Sequence, residues 1–331
     1  MQKSFIRIIV LIAALASLVT AGVFFVTTPD IPREVMAQRY ANDASVFLNW
    51  GNGDIVHYRD EGNASAQPII LIHGSNASLQ TWEPWVELLK NDYRLISLDL
   101  PGHGLTGAMQ NTNYQPDEMG AFIIEFAERL GLENVVLAGN SMGGYVSLEV
   151  ALRKPELVKA LILISSSGMR RDADDEGSVG AFKLAQSEMG REILRRVTPR
   201  FIIEDTIKKI VADPDTFVTD ERVDLYWDMQ RMEGTRDANL KRFQGYAARG
   251  SVEDQISMIT APTLILWGRH DTLIKPKYGE RMQKIIVGSE LIIYENAGHM
   301  AMDEIPEQSA LDARRFLTSL NQSIHNNLRA N

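Results

Sequence analysis

Gly139-Asn140-Ser141-Met142-Gly143 stands between an apolar run, VVLAG (135–139), and a helical pattern, GYVSLEVALRK (144–154). G-x-S-x-G between strand and helix bends the chain sharply, strains the serine backbone and lifts its hydroxyl above the sheet. The helix that follows points its amide dipoles toward the same spot. A purely structural serine is the bland alternative. A serine hydroxyl is a weak nucleophile near neutral pH and needs a base within hydrogen-bonding reach. Six histidines are available: His57, His73, His103, His270, His299 and His325. His299, in Asn296-Ala297-Gly298-His299-Met300, follows the strand pattern SELIIYE (289–295), so its loop can reach the same sheet edge. His325 lies in a polar tail and His57 inside a strand pattern. His73, His103 and His270 follow strands and read as local hydrogen-bonding residues, with His270 the nearest rival because it adjoins Asp271. The base needs a carboxylate to fix its tautomer and stabilise its charged form. Asp271, after APTLILWG (261–268), supplies one; Asp99, after YRLISL (93–98), is the alternative, read instead as stabilising the turn Pro101-Gly102-His103-Gly104. Ser141, Asp271 and His299 therefore stand as nucleophile, orienting acid and base. This chemistry requires no cofactor and no metal.

The elements that must position these residues alternate. SVFLNW (45–50) and DIVHYRD (54–60) read as a hairpin, and PIILI (68–72), YRLISL, VVLAG, KALILI (159–164), APTLILWG and SELIIYE as further strands. Helical patterns fall at 81–90, 116–131, 144–154, 277–286 and 306–320. Strand and helix in alternation predict an α/β fold with a parallel sheet covered on both faces. Between Gly168 and about Gly250 the alternation stops and a charged, helical stretch intervenes. An insertion there would sit over the carboxyl edge of the sheet, where α/β folds bind ligands. The expected division is a core over 43–167 and 251–322, a helical lid over 168–250, and an N-terminal segment over 1–28. A lid without function, a decorative helical subdomain, is the alternative. Lid residues Phe182, Met189, Phe201, Trp227, Met229 and Met232 are candidates for an apolar acyl pocket, with internal lid packing the alternative for each.

Ile8 to Val26 carries no charge over nineteen residues. At about 1.5 Å per residue it would nearly span a bilayer's hydrocarbon core. Lys3 and Arg7 precede it, and Asp30 and Glu34 follow, which predicts a cytoplasmic N-terminus and an extracytoplasmic catalytic part. The expectation is an uncleaved single-helix membrane anchor; a signal peptide cut after Val19-Thr20-Ala21 is the alternative. The 331 residues contain 45% apolar and 23% charged residues, ordinary globular usage that permits a sizeable core. The net charge of -9, without a long Lys/Arg run, argues against a nucleic-acid partner. The absence of cysteine excludes thiol nucleophiles, disulfides and thiolate metal sites.

Over residues 45–320 the chain resembles the α/β-hydrolase superfamily, on LIHGSNASLQTW, LDLPGHGLT, GNSMGGYVS, LILWGRHDTLI and NAGHMAMDEIPEQ. The resemblance implies an eight-stranded, mostly parallel sheet, and the chain order Ser141, Asp271, His299 is that fold's order. It also implies that His73-Gly74 precedes an oxyanion-hole residue. That role falls to the amide of Ser75, with the amide of Met142 as second donor; a plain turn glycine at Gly74 is the alternative. Gly74, Trp227 and Met300 are the expected substrate-binding residues. GNSMGG, WGRHD and FVTDERVDLYWDMQ further resemble the meta-cleavage product hydrolases, which cut carbon–carbon bonds in ring-opened aromatics. Those enzymes hold the substrate carboxylate with a lid arginine, where this chain has Tyr226, with Arg222 close by. Haloalkane dehalogenases and epoxide hydrolases use aspartate as nucleophile, so Ser141 argues against both. Cofactor-free haloperoxidases share Ser-Met at the turn, leaving that activity as a side reaction. The resulting expectation is an esterase-like serine hydrolase acting on a small apolar ester. A carbon–carbon hydrolase and a non-enzymatic ligand receptor on the same fold are the alternatives.

Overall fold

The computed structural model describes residues 27–172, 175, 187–249 and 251–330, with side chains described except at 246–249 and 323–330. Eight strands form one sheet: β1 (Ser45–Gly51), β2 (Asp54–Gly62), β3 (Pro68–Ile72), β4 (Arg94–Leu98), β5 (Val135–Asn140), β6 (Val158–Ile164), β7 (Thr263–Gly268) and β8 (Glu290–Tyr294). Their order is β1-β2-β4-β3-β5-β6-β7-β8. β2 runs antiparallel to β1 and β4, and every other pair is parallel. The central strands are nearly unbroken runs of Val, Ile and Leu because both faces of the sheet are covered. Alternation along β3 splits them between two cores. Ile70 and Ile72 join Phe122, Phe126 and Leu137 on one face, and Ile69 and Leu71 join Trp82, Trp85 and Val136 on the other. β5, where the nucleophile candidate ends, is central and buried along its whole length.

The excursion between β6 and β7 contains helices Glu188–Arg196, Arg200–Ile210, Pro214–Phe217, Asp220–Arg231 and Thr235–Arg249. Their starts are legible: the Ser187, Asp213 and Thr219 side chains accept from the Gly190, Thr216 and Arg222 amides, satisfying otherwise orphaned first-turn donors. Arg222 pairs with Asp303, fastening the helix Asp220–Arg231 to the segment after His299. A further helix, Arg33–Tyr40, lies between the N-terminal segment and the core, where the sequence showed no helical pattern. It buries only Met36, so it carries no amphipathic stripe to read. Instead Arg39 and the Tyr40 hydroxyl both donate to Asp228, at 2.8 and 2.9 Å, and strap it to the inserted helices.

The membrane-anchored, extracytoplasmic placement is corrected: no helix among the described residues is long and apolar enough to cross a membrane. The longest, Pro306–Ala330, carries Asp312, Arg314 and Arg315. The apolar run 8–26 that motivated the placement lies outside the described residues, as does Phe182.

Candidate active site

Ser141 follows the last residue of β5 and precedes the helix Met142–Arg153, with φ 54° and ψ −115°. Positive φ is costly for a residue with a Cβ, and the surroundings hold it there. Its amide donates to the Ile164 carbonyl at 3.0 Å, and its carbonyl accepts from the Ser167 amide and hydroxyl at 2.9 and 3.1 Å. The flanking glycines permit the close approach. A Cβ on Gly143 would lie 2.1 Å from the Ile72 carbonyl oxygen, and one on Gly139 would lie 2.3 Å from the Gly143 oxygen. Gly74 sits against the nucleophile candidate itself, since a Cβ there would meet the Ser141 Cβ at 3.1 Å. Met142 opens the helix, where first-turn amides have no intrahelical acceptor. Ser75 is exposed, between buried Gly74 and half-buried Asn76.

His299 Nδ1 and Asp271 Oδ2 are 2.8 Å apart, both residues 3% exposed. The other Asp271 oxygen accepts from the Leu273 and Ile274 amides at 2.9 and 2.8 Å, which fixes the carboxylate plane. Asn140 Nδ2 donates to the His299 carbonyl at 3.0 Å, so the residue before Ser141 holds the histidine loop. No hydrogen bond joins the Ser141 hydroxyl to the His299 ring among the described residues. In free enzymes such bonds are often long and tighten in the substrate complex.

Glu304 is the residue that motif reading missed. One of its oxygens accepts from the Gly298 and Ala212 amides at 2.9 and 2.8 Å, the other from Met300 at 2.9 Å. The His299 amide itself donates to the Ile210 carbonyl at 2.7 Å. The histidine loop is thus held on both sides, partly by the inserted segment. A carboxylate five residues after the histidine was the available signal.

Among the other histidines with described side chains, three are engaged elsewhere. His270 is exposed. His73 Nδ1 donates to the Gly74 carbonyl and its Nε2 accepts from the Leu100 amide. His103 meets Arg242. Burial pushes both rings below the ordinary imidazole range, His103 far below with Arg242 adding to the effect, so both stay neutral. His57 Nδ1 lies 2.7 Å from Asp99 Oδ2 and its Nε2 2.9 Å from Ser45 Oγ, a second Ser–His–Asp chain. There Ser45 opens an edge strand, and the nearby amides of Ala44 and Ser45 are spent on Asn42, leaving them unavailable to an oxyanion. Asp99 also accepts from Leu79 and Leu105, which ties down the turn as the sequence suggested. Burial alone would raise its pKa, but the His57 hydrogen bond, the neighbouring imidazoles and the Leu79 amide outweigh it and hold the carboxyl below its ordinary value.

The expected pocket residues disperse. Met300 is buried, with its sulfur 3.4 Å from the Tyr226 hydroxyl. Trp227 donates to the Thr198 carbonyl and lies under Arg231. Met229 and Met232 pack with Ile31, Met36 and Leu105, while Met189 and Phe201 are 76% and 62% exposed. Two cavities, of about 770 and 500 Å³, open elsewhere: the larger is lined by Glu83, Asp213, Arg222 and Asp303, the smaller by Tyr145, Glu149 and Arg153. Ser141 is 7% exposed.

Comparison with known proteins agrees with this architecture. The family model described as alpha/beta hydrolase fold matches residues 67–306. The uncharacterized hydrolase YugF of Bacillus subtilis is 26% identical over 260 residues, covering 77% of this chain and 92% of the relative. A 2-hydroxy-6-oxononadienedioate/2-hydroxy-6-oxononatrienedioate hydrolase of Escherichia coli O81 is 29% identical over 267 residues, covering 75% and 86%. A thermophilic esterase from Thermogutta terrifontis shares the fold at a TM-score of 0.69 and 24% identity, covering 83% of this chain and 98% of the esterase. The sheet order, the strained serine at the end of β5 and the match over residues 67–306 together make this chain a hydrolase of the alpha/beta hydrolase fold family.

Proposed function

We propose that this hydrolase cleaves a carboxylic ester through an acyl-enzyme, with Ser141 as nucleophile, His299 as base and Asp271 orienting the base. The carrying observation is the 2.8 Å contact of His299 with Asp271 in a loop that Asn140 binds beside the strained Ser141. Ser141 Oγ attacks the carbonyl carbon as His299 Nε2 takes its proton, and Asp271 stabilises the resulting imidazolium. The amides of Ser75 and Met142 receive the oxyanion. His299 then returns the proton to the leaving alcohol, and water repeats the sequence to release the acid. In this reading the segment 168–250 is a lid that shifts to admit substrate.

Carbon–carbon hydrolysis is the second reading, favoured by the relative that the Escherichia coli name describes. Against it, the sequence resemblance puts Tyr226 where those enzymes have the carboxylate-holding arginine, and Arg222 is paired with Asp303. Steady-state kinetics on p-nitrophenyl esters and on a ring-fission dienoate, with Ser141→Ala as the blank, test the choice. Turnover of the ester is expected, lost in Ser141→Ala. Turnover of the dienoate alone replaces the ester reading by the second.

A further inference from the structure

A chain of buried polar groups runs from the loop after β3 into the inserted helices. His73 holds the start of that loop through the Gly74 carbonyl at 2.7 Å. The His103 ring packs on His73 with centroids 5.0 Å apart. His103 Nδ1 donates to the Pro101 carbonyl at 3.0 Å, which leaves Nε2 to accept from Arg242. A second Arg242 nitrogen donates to Asn76 Oδ1 at 2.9 Å. Arg242 comes from the helix Thr235–Arg249, yet its side chain is buried at 1% exposure beside a core loop. Burying a guanidinium is expensive unless its donors are satisfied, and an apolar side chain would serve simple packing at less cost.

Asn76 is where such a hold matters. It sits at φ 60°, a left-handed turn conformation that asparagine tolerates better than most side chains. It follows Ser75 directly, and the Ala77 amide closes the turn on the Gly74 carbonyl at 3.3 Å. The loop that carries the Ser75 amide is therefore gripped at one end by His73 and at the other by Arg242.

We propose that Arg242 is a positioning residue for the oxyanion loop: by fixing Asn76 it sets the Ser75 amide, so closure of the inserted helices and assembly of the oxyanion site are one event. This rests on Ser141 acting as the nucleophile. The test is the steady-state hydrolysis of p-nitrophenyl butyrate by the full chain carrying Arg242→Met, Arg242→Lys or Asn76→Ala, with Ser141→Ala alongside. Misplacing a catalytic dipole by about 1 Å costs about 100-fold. Arg242→Met is expected to lose about that much in kcat with KM little changed, the signature of an interaction made in the transition state. Arg242→Lys recovers part of it, and Asn76→Ala falls in the same direction as Arg242→Met. If Arg242→Met fails to fold by circular dichroism, Asn76→Ala decides, because it removes the contact without emptying the core. Wild-type kcat in Asn76→Ala, or a loss in Arg242→Met confined to KM, overturns the proposal. Failure of the underlying reading looks different: Ser141→Ala then matches the wild type, and the proposal falls with it.

Discussion

Two histidine–aspartate pairs of nearly equal length lie in this molecule, and their surroundings separate them. His57–Asp99 is sealed at 0% exposure and its carboxylate also binds the Leu79 and Leu105 amides. His299–Asp271 stands in a loop that touches the residue before Ser141. Asp271→Asn is therefore expected to lower kcat on an ester by on the order of 10⁴-fold with little change in Tm, the loss seen when such an acid no longer fixes the tautomer. Asp99→Asn is expected to do the reverse, costing about 1–3 kcal/mol of stability with kcat retained. Paired kinetics and thermal melts check this, and a kcat collapse in Asp99→Asn alone would exchange the roles. At this scale the sequence was most legible where a residue type demands a context: Ser141 between strand and helix, Asp271 and His299 after strands. It was least legible where the partner is backbone. Glu304 acts through the amides of Gly298, Met300 and Ala212, and nothing in its own neighbourhood in sequence announces Ala212.

Among the elements, the turn from β5 into the helix Met142–Arg153 has almost no tolerance. Gly143→Ala would put a methyl 2.1 Å from the Ile72 carbonyl oxygen, so the helix must lift off the end of β3. A loss of about 1–3 kcal/mol is expected from such overpacking, measured by denaturant titration. A variant of wild-type stability would mean that the contact is soft. The inserted helices depend on a different kind of contact. Burial pushes Asp303 up to about 6, even with Arg222 beside it. Its folded value lies above its unfolded one, so its contribution to stability is complete below pH 4 and declines as pH rises through 6. Asp303→Asn is expected to remove that slope from a Tm-against-pH series, and an unchanged slope contradicts the assignment. The strands and core helices were readable because apolar period and length agree there. The strap Arg33–Tyr40 was not, because a single buried methionine, an ion pair from Arg39 and a hydrogen bond from Tyr40 to Asp228 hold it in place of an apolar stripe. The dispersal of the expected pocket has the same origin. Met229 and Met232 pack around Met36, on that strap, a tertiary contact that helical spacing does not encode.

For the whole molecule, the sheet works as a frame whose carboxyl edge collects groups that are far apart in the chain. Ser141 leaves β5, Asp271 follows β7, His299 follows β8, and Gly74 follows β3 against Ser141. The inserted helices meet that edge through the Ile210 carbonyl, which accepts from the His299 amide, and through Arg242, which donates to Asn76. In the proposed reading these helices serve both as a lid and as a brace for Ser141, which is 7% exposed. The most direct test is covalent. The full chain treated with a fluorophosphonate, digested and sequenced by mass spectrometry should carry one adduct, on Ser141, formed far more slowly in His299→Ala. An adduct on another serine, Ser45 included, or labelling of Ser141 at an unchanged rate without His299, would contradict the account.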